Sequence, residues 1–494
     1  MRQLANDHLG FTKKYSDIRR NTYIPKYYNP EIEARLLELS VTHELVSMST
    51  LIADKHIKLS TGDEIGKMAY GTGEIPFVRT SDITNWEIKT DTKQGVSQRI
   101  YDQYATKQDV NEGDIFFVRD GTYLIGQSCF ITKNDLPCLY QSHLLKIRTE
   151  EHSPVCKELV FLGLNSPIVK RQIKSKQFTA DIIDTIGSRF SELLLPVSKD
   201  KNQTVRISDA IRDNIARRSI LREHIRHIPF WAQGIISSKE EALPQDFLQR
   251  SEMTGNHGFN VPFSQIQSGI FMPKYYDPTL DRDIRQMSDT HDLVSIATLV
   301  NDGVISWSTG IEVGKMAYGT GNVPFIRTSD MANWELKGDP KQNVSEAIYE
   351  ESKQDVVPED ILVVRDGTYL VGTSSIITQY DTKCLYCGGL YKLRVNKKNK
   401  IDPYLLLALL NTPIVRRQMR SKQFTRDIID TIGKRLFDVV LPVPRDRRIS
   451  KLLAEEVRNT IEERVHLRNA GKRLAFEVEG VDHLTSMPED DENI

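Results

Sequence analysis

The sequence predicts an α+β protein made of two tandem copies of one domain, each closed by an amphipathic helix. An internal repeat shows the duplication, since 17 of the 22 residues of Gly66–Glu87 recur identically in Gly314–Glu335. Short apolar runs bounded by Gly or Asp, such as Asp114–Val118 and its counterpart Asp360–Val364, indicate strands. Apolar residues at helical spacing follow each copy. Each copy is therefore expected to combine β-sheet with helices.

The two copies keep a common register along their length. Pro25–Tyr28 recurs 248 residues later at Pro273–Tyr276, and Arg119–Leu124 recurs 246 residues later at Arg365–Leu370. A period this long indicates two domains of about 200 residues each rather than a solenoid. The predicted organisation is a first domain at residues 1–200, a closing helix and linker at 201–262, a second domain at 263–446, and a closing helix with an acidic tail at 447–494.

Within a copy, local patterns place the main elements. Strands are expected at Phe77–Arg79 and Leu144–Ile147. A helix is expected from Val155 to about Lys176, with Pro167 positioned to interrupt it. Closing helices are expected at about 207–227 and 449–475, a linker at about 228–262 and an acidic end at Pro488–Ile494. Trp86 and Trp334 are expected to be core anchors.

Composition fits a soluble protein of more than one domain. The chain has 494 residues, of which 39% are hydrophobic and 27% are charged. No apolar run approaches the roughly 20 residues that cross a bilayer, and the first residues lack a signal-peptide core, so a cytoplasmic location is expected. The net charge of -1 leaves nucleic-acid binding open, because binding depends on where positive charge clusters.

The sequence shows no arrangement typical of catalysis, a metal or a cofactor. The five cysteines are scattered, and the lone Cys384–Cys387 pair lacks the further ligands of a structural zinc site. Gly62–Lys67 has the wrong spacing for a phosphate-binding loop. The Asn/Asp-Pro-Pro-aromatic motif of adenine methyltransferases and the clustered carboxylates of metal-dependent nucleases are missing. His143 is replaced by Gly389 in the other copy. We expect no catalytic residue, metal or cofactor.

Several repeated residues suit contact with DNA. Residues 165–189 carry five basic and two acidic side chains, and residues 411–435 carry seven and two. Such a local surplus is typical of phosphate contact, although a solvated helix face explains it equally well. The candidate DNA-binding residues of the first copy are Lys67, Arg79, Thr80, Ser81, Arg119, Tyr123, Gln141, Ser142, His143, Lys170, Arg171, Lys174, Lys176 and Gln177. Those of the second copy are Lys315, Arg327, Thr328, Ser329, Arg365, Tyr369, Arg416, Arg417, Arg420, Lys422 and Gln423.

The copies differ chemically at positions where their register holds. Gln141–His143 (Gln-Ser-His) corresponds to Cys387–Gly389 (Cys-Gly-Gly), and Glu74 corresponds to Asn322. Gln can form a bidentate contact with adenine, so these positions are candidates for sequence specificity. Neutral drift in a surface loop is the alternative.

The order of four motifs resembles a known family. These motifs are IPFVRTSDITNWE at Ile75–Glu87, GDIFFVRDGTYLIG at Gly113–Gly126, LNSPIVKRQI at Leu164–Ile173 and IDTIGSRFSELLLPV at Ile183–Val197. They resemble the target-recognition domain of type I restriction-modification specificity (S) subunits. The resemblance covers roughly residues 15–200 and 263–446, and it includes the helix after each copy, which matches a spacer helix.

This resemblance implies a non-catalytic DNA-binding subunit. Two target-recognition domains with different specificities would recognise a bipartite site in double-stranded DNA. The spacer helices would pair antiparallel and set the distance between the half-sites. Two copies of an adenine-N6 DNA methyltransferase, and often a translocating endonuclease, would be the protein partners. The closing helices expected here are shorter than those of the family.

Other functions are compatible with parts of the sequence. A self-sufficient nuclease or methyltransferase is disfavoured because its motifs are missing. A free-standing DNA-binding subunit of a related phage-defence system, or a decoy of such a complex, needs only the DNA-binding surface. Both of these alternatives stay open at the level of sequence.

Overall fold

The computed structural model describes residues 11–18, 22–121, 123–180, 183–243, 258–266, 270–367, 369–426 and 429–480. The chain forms two compact units. Unit 1 comprises the described residues within Met1–Ile88, Thr92–Ala216 and Ala470–Ile494, and unit 2 those within Lys89–Asp91 and Arg217–Asn469. The expected acidic tail and residues 244–257 of the expected linker lie outside the described residues. The sequence-based domain boundaries stay a prediction, because parts of both closing helices belong to each unit.

Unit 1 is built from small sheets. Its strands are β1 (His43–Ser47), β2 (Ile57–Thr61), β3 (Ile75–Val78), β4 (Ile83–Thr84), β5 (Glu87–Ile88), β6 (Gly95–Val96), β7 (Ile115–Val118), β8 (Ser128–Phe130), β9 (Leu139–Tyr140), β10 (Leu144–Thr149), β11 (Phe178–Ala180), β12 (Ile183–Thr185) and β13 (Leu194–Ser198). The largest sheet is antiparallel in the order β2-β10-β7-β8. A second has the order β6-β3-β9, with β3 and β9 parallel. β1 pairs with β13, β4 with β5, and β11 with β12.

Unit 2 repeats this topology. Its strands are β14 (His291–Ser295), β15 (Ile305–Thr309), β16 (Val323–Ile326), β17 (Met331–Ala332), β18 (Glu335–Leu336), β19 (Gln342–Val344), β20 (Ile361–Val364), β21 (Ser374–Ile376), β22 (Leu385–Tyr386), β23 (Leu390–Val395), β24 (Phe424–Arg426), β25 (Ile429–Thr431) and β26 (Val440–Pro444). The main sheet has the order β15-β23-β20-β21, and the second has the order β19-β16-β22. The predicted α+β fold, with one sheet arrangement occurring in both copies, is confirmed.

The helices recur in the same way. They are α1 (Pro30–Thr42), α2 (Met48–Ala53), α3 (Gln98–Gln108), α4 (Lys157–Leu164), α5 (Pro167–Lys176), α6 (Lys201–Ala232), α7 (Pro278–Gln286), α8 (Ile296–Asn301), α9 (Glu346–Ser352), α10 (Pro403–Leu410), α11 (Pro413–Lys422) and α12 (Arg447–Glu477). Pro167 begins α5 as its first residue, where a missing N–H costs nothing, so the interrupted helix is confirmed. None of the helices within the described ranges is long and apolar enough to cross a membrane.

The central strand β7 explains why its sequence is continuously apolar. All four of its residues are fully buried. Because successive side chains of a strand point to opposite faces, Ile115 and Phe117 join one core cluster while Phe116 and Val118 join another. β20 divides its residues between two clusters in the same way. A strand covered on both faces carries no polar alternation, so its residues read as one apolar run.

The closing helices α6 and α12 are longer than expected. They have 32 and 31 residues, whereas the sequence analysis placed them at about 207–227 and 449–475. The expected linker start at residue 228 was wrong, because Ile225, Ile228 and Ala232 continue the buried stripe of α6 past Pro229.

Within unit 2, the closing helices pack antiparallel. An Arg217 guanidinium N–H donates to Glu463 at 2.6 Å, and His224 Nδ1 lies 3.9 Å from Glu456 Oε1. As the residue number rises along α6, the number of the contacting residue on α12 falls, so the two helices run in opposite directions. The same core cluster takes Ile225 and Ile228 from α6 together with Leu453, Val457, Ile461 and Val465 from α12.

The residues just beyond the closing helices cap the basic helices. In unit 1, the Ile168 N–H at the start of α5 donates to Glu479 Oε1 at 2.6 Å. In unit 2, the Ile414 N–H at the start of α11 donates to Gln233 Oε1 at 2.8 Å. These side chains satisfy N–H groups that a helix start leaves without an intrahelical partner. Burial raises the pKa of Glu479.

A buried carboxylate joins both closing helices to the β17–β18 hairpin of unit 2. Glu335 Oε1 accepts from Arg218 at 2.7 Å and from Arg464 at 2.8 Å, and Arg468 lies 3.7 Å from Oε2. Arg218 and Arg464 each donate to the other's backbone carbonyl, at 2.7 and 3.2 Å. Burial by itself raises the pKa of Glu335, but the three guanidinium charges outweigh it and lower the pKa to about 2.

The hairpin turn itself requires an uncommon backbone. Asn333 and Trp334 have φ of 51° and 63°, and their counterparts Asn85 and Trp86 have φ of 46° and 69°. Two successive left-handed residues suit a tight hairpin, but Trp tolerates this conformation poorly. Trp334 is buried, whereas Trp86 is half-buried, with its ring centroid 5.5 Å from that of Phe161 in an edge-to-face arrangement. Packing of the indole ring offsets the backbone cost, in line with the expected core role.

We predict that Glu335→Ala destabilises unit 2 by about 3–5 kcal/mol, because it leaves buried guanidinium groups without their carboxylate. Denaturant unfolding measures the loss. Glu455→Ala is the matched control: Glu455 lies on α12, is exposed and pairs with Lys451 at 3.6 Å, so its removal costs less than about 1 kcal/mol.

The pH dependence gives an internal check on this prediction. Because the folded pKa of Glu335 lies below its ordinary value of 4.5, its contribution is complete above that value and is lost as pH falls toward 2. Glu335→Gln removes this part of the acid sensitivity. Equal losses for Glu335→Ala and Glu455→Ala would contradict the assigned role.

Candidate nucleic-acid interface

Each unit presents an arginine fixed by its neighbouring aspartate at the end of a central strand. After β7, Arg119 Nε and Nη2 donate to Asp120 Oδ2 at 2.9 and 2.7 Å. After β20, Arg365 makes the same pair of bonds to Asp366 at 2.8 and 2.5 Å. The arginine side chains are 30% and 28% exposed. The two bonds hold the guanidinium plane in place, which prepares it for planar recognition of a base edge or a phosphate.

The aspartate of unit 1 is held from its other side by the β11–β12 hairpin. Thr185 Oγ1 donates to Asp120 Oδ1 at 2.5 Å, and the Gly121 N–H donates to the Asp184 carbonyl at 2.9 Å. Burial favours a raised pKa for Asp120, but the bonds from Arg119, Thr185 and His143 lower it overall, so the group remains a carboxylate. In unit 2 the Gly367 N–H bonds the Asp430 carbonyl at 2.9 Å.

The Arg-Thr-Ser-Asp motif divides into a structural part and an exposed part. The buried Asp82 carboxylate accepts from the backbone N–H of Arg79 at 3.0 Å and of Lys93 at 3.2 Å. Asp330 accepts from the Arg327 N–H at 3.0 Å, and burial raises the pKa of Asp330. The aspartate therefore shapes the turn. Partly exposed side chains are left at Arg79, Thr80, Ser81, Arg327, Thr328 and Ser329.

In unit 1, Gln141–His143 connects these two motifs. Arg79 Nε donates to Gln141 Oε1 at 3.4 Å, Ser142 Oγ donates to Glu64, and His143 Nδ1 lies 3.3 Å from Asp120 Oδ2. The corresponding segment of unit 2, Cys387–Gly389, has no side chains capable of these bonds apart from a thiol. Gln141 itself is buried, so the chemical difference between the units that is open to solvent lies at Ser142 and His143.

The basic helices α5 and α11 use most of their charges within the fold. Arg171 donates to Glu31 at 2.6 Å, and Arg417 donates to Asp283 at 2.7 Å. Four further basic side chains also make local contacts. Lys170 donates to the Gly126 carbonyl, and Arg416 lies 3.9 Å from Asp91. The ammonium groups of Lys176 and Lys422 lie over the rings of Tyr27 (4.4 Å) and Tyr275 (4.7 Å). Burial lowers the pKa of Lys422.

One basic position of each helix projects into solvent. Lys174 and its counterpart Arg420 are exposed. Gln177 bonds through its backbone N–H to the Ile173 carbonyl at 3.0 Å, and Gln423 Nε2 donates to Asp430 at 3.3 Å. The exposed positions are therefore the better candidates for phosphate contact.

The remaining candidates lie on exposed turns. Tyr123 and Tyr369, beside the fixed arginines, are 50% and 41% exposed. Lys67 and Lys315 lie on exposed turns that precede β3 and β16.

Sequence analysis missed several residues of this surface. Thr185 donates a hydrogen bond to Asp120. In the sequence, only its place in the repeated Ile-Asp-Thr-Ile-Gly segment could have pointed to this role. Unit 2 also has an aromatic cluster beside Arg365. The Trp307 ring lies 5.4 Å from Tyr391 and 4.8 Å from Phe437, and Arg365 lies 5.5 Å over Tyr391. Leu59, Leu145 and Ser191 occupy these positions in unit 1, so the cluster is another difference between the units.

The described residues show no metal site. Among the residues that the structure describes, no group of three or more His, Cys, Asp or Glu side chains is placed to hold a metal ion. The Cys384 thiol is buried, which raises its pKa to about 12.

Comparisons with known proteins gave structural neighbours only. No family model and no curated protein matches the chain. A type-I restriction-modification S subunit from M. genitalium is similar at 12% identity and a TM-score of 0.34, covering 88% of this chain and 96% of that one. The HsdS subunit of Thermoanaerobacter tengcongensis is similar at 16% identity and a TM-score of 0.27, covering 89% and 96%.

A third neighbour comes from work on complex assembly and conformational transition of the type I R-M system, at 15% identity and a TM-score of 0.26, covering 89% of this chain and 97% of that one. These neighbours are of the kind that the sequence motifs resemble.

We predict that the two kinds of basic position respond differently to replacement. Lys174→Ala and Arg420→Ala should each weaken DNA binding for all sequences. Each should also reduce the slope of log K against log [salt] by about one unit, because each side chain that neutralises a phosphate releases a counterion from the DNA. Arg171→Ala should instead lower thermal stability, since it breaks the contact with Glu31. DNA titrations at several salt concentrations, with thermal unfolding in parallel, separate the two effects. An unchanged salt slope in the Lys174→Ala, Arg420→Ala double variant would show that the exposed positions are only a solvated face.

Proposed function

We propose that this chain is a non-catalytic DNA specificity subunit in which each unit recognises one half of a bipartite target. The chain would direct an adenine-N6 DNA methyltransferase, in two copies, to double-stranded DNA, and in a restriction complex also a translocating endonuclease. The observation that carries the proposal is the pair of fixed arginines, Arg119 and Arg365, at equivalent strand ends. A cytoplasmic location follows from this role.

The geometry suits recognition of bases. Arg is the side chain most often used for bidentate contact with guanine, and a partly buried carboxylate keeps its guanidinium in one orientation. Asp120, the partner of Arg119, is in turn held in place by a hydrogen bond from Thr185. Such preorganisation lowers the entropy that is lost on binding.

Residues that differ between the units lie beside turns that the units share, which supports recognition of two different half-sites. The units share the RDG and RTSD turns but differ at Gln141–His143 against Cys387–Gly389, and at Leu59 against Trp307. Contacts made by shared residues would serve both half-sites, whereas the differing side chains would select different bases. Duplication followed by such divergence is expected of a protein that recognises an asymmetric bipartite sequence.

The test uses the chain together with an adenine-N6 DNA methyltransferase that co-purifies with it from its native host. Arg119→Lys should reduce methylation at the target about 10- to 100-fold and relax base preference in one half-site only, since Lys cannot reproduce the planar fork. Arg365→Lys should affect only the other half-site. The readout is genome-wide mapping of methylated adenine.

Arg212→Lys is the matched control, because Arg212 also pairs with two carboxylates, Glu158 and Asp209, but lies on α6 of unit 1. Its methylation pattern should equal that of the unaltered chain. If both Arg119→Lys and Arg365→Lys also leave the pattern unchanged, the fixed arginines do not contact bases. If the methyltransferase acts on the same sites without the chain, the specificity-subunit role is wrong.

A further inference from the structure

Each unit presents one methionine almost completely to solvent. Met68 and Met316 are both 92% exposed, the highest exposure among the large hydrophobic side chains of the described residues. They lie in the eight-residue segment GKMAYGTG, which is identical in the two copies. A single exposed apolar side chain is common on protein surfaces. Its occurrence at the same position of both units, within an identical segment, is the feature that indicates a use.

The turn that carries the methionine is firmly held. In unit 1, the Ala69 N–H donates to the Gly66 carbonyl at 2.9 Å and the Gly71 N–H to the Gly95 carbonyl at 2.9 Å. Thr72 Oγ1 donates to the Ala69 carbonyl at 2.8 Å and accepts from the Ser97 N–H at 3.0 Å.

Unit 2 repeats this frame. The Gly319 N–H donates to the Asn343 carbonyl at 2.9 Å, and Thr320 accepts from the Ser345 N–H at 3.1 Å. Because the backbone is fixed in both units, the methionine projects from a rigid base.

The same turn adjoins the candidate interface. The ring of Tyr70, two residues after Met68, lies 5.8 Å from Phe77 of β3, and the Arg79 guanidinium lies 6.0 Å from the Tyr70 ring centroid. Tyr318 and Phe325 repeat the ring contact at 5.8 Å. The exposed Lys67 and Lys315 precede the methionines directly. A DNA duplex bound at Arg79 would therefore lie close to Met68.

The chemistry of the segment limits what it contacts. The segment is identical in the two units, whereas Gln141–His143 differs from Cys387–Gly389. A ligand that contacts the segment in both units is therefore expected to be common to both half-sites. A thioether cannot donate hydrogen bonds to phosphate, whereas every base offers an apolar stacking face. The residues next to Met68 in the sequence are Gly66, Lys67 and the buried Ala69, so its immediate chain neighbours add no exposed apolar side chain of the kind that a protein-binding patch would contain.

We propose that Met68 and Met316 act as wedges that insert between stacked base pairs beside each half-site, with Lys67 and Lys315 on the flanking phosphates. This inference rests on the proposed function. Apolar side chains used in this way unstack a base step and kink the duplex, which brings more protein surface onto the DNA. The wedge is independent of sequence, so it adds affinity and deformation rather than base preference at both half-sites.

The test places 2-aminopurine at successive positions of the target bound by the full chain. We expect enhanced fluorescence at one base step beside each half-site. Met68→Ala should remove one signal, Met316→Ala the other, and each should weaken DNA binding about tenfold through the lost apolar burial. Met68→Leu should keep the signal, because it retains the apolar bulk. Leu37→Ala is the matched control, since Leu37 of unit 1 is 73% exposed on α1.

The outcomes separate this inference from the function on which it rests. Specific DNA binding without any enhanced signal, or a signal that persists in the Met68→Ala, Met316→Ala double variant, overturns the wedge alone. A double variant that keeps the DNA signal but no longer co-purifies with the methyltransferase overturns it in favour of a protein contact. A chain that binds no DNA sequence specifically overturns both proposals.

Discussion

The buried contact of Glu335 with Arg218 and Arg464 determines how the rest of unit 2 is arranged. A carboxylate without exposure is tolerated only when opposite charges surround it, and here they come from both closing helices. The pairing fixes the register of α6 against α12 and attaches both to the β17–β18 hairpin. That hairpin directly follows the Arg327–Asp330 turn, so the position of a candidate DNA-binding turn depends on one buried charge network.

Within each unit, a second set of contacts holds the basic helix and the turn that carries the fixed arginine. Residues just beyond the closing helices, Gln233 and Glu479, cap α11 and α5. The hairpins that follow α5 and α11 then bond the turns carrying Arg119 and Arg365. The exposed candidate side chains thus rest on backbone whose hydrogen bonds are satisfied, which is how a surface can present rigid groups at low entropic cost.

The fold was largely predictable because its signals are local or duplicated. The repeat register, the apolar runs of β7 and β20 and the break at Pro167 all depend on short-range pattern. The ends of the closing helices were not predictable, since the stripe through Ile228 and Ala232 continues past a proline. For the candidate site, repetition singled out Arg119 and Arg365, and their role in DNA binding stays a prediction. Charge alone could not separate the paired Arg171 from the exposed Lys174, because Glu31, the partner of Arg171, lies 140 residues away in the sequence. Thr185 escaped notice for the same reason.

The central claim is that the two units recognise two separate half-sites. The most direct measurement is selection of the sequences that the full chain binds from a library of random double-stranded DNA. We expect two short blocks of enriched sequence, different from each other and separated by a gap of fixed length without base preference. One continuous block, two identical blocks, or no enrichment over the starting library would contradict it.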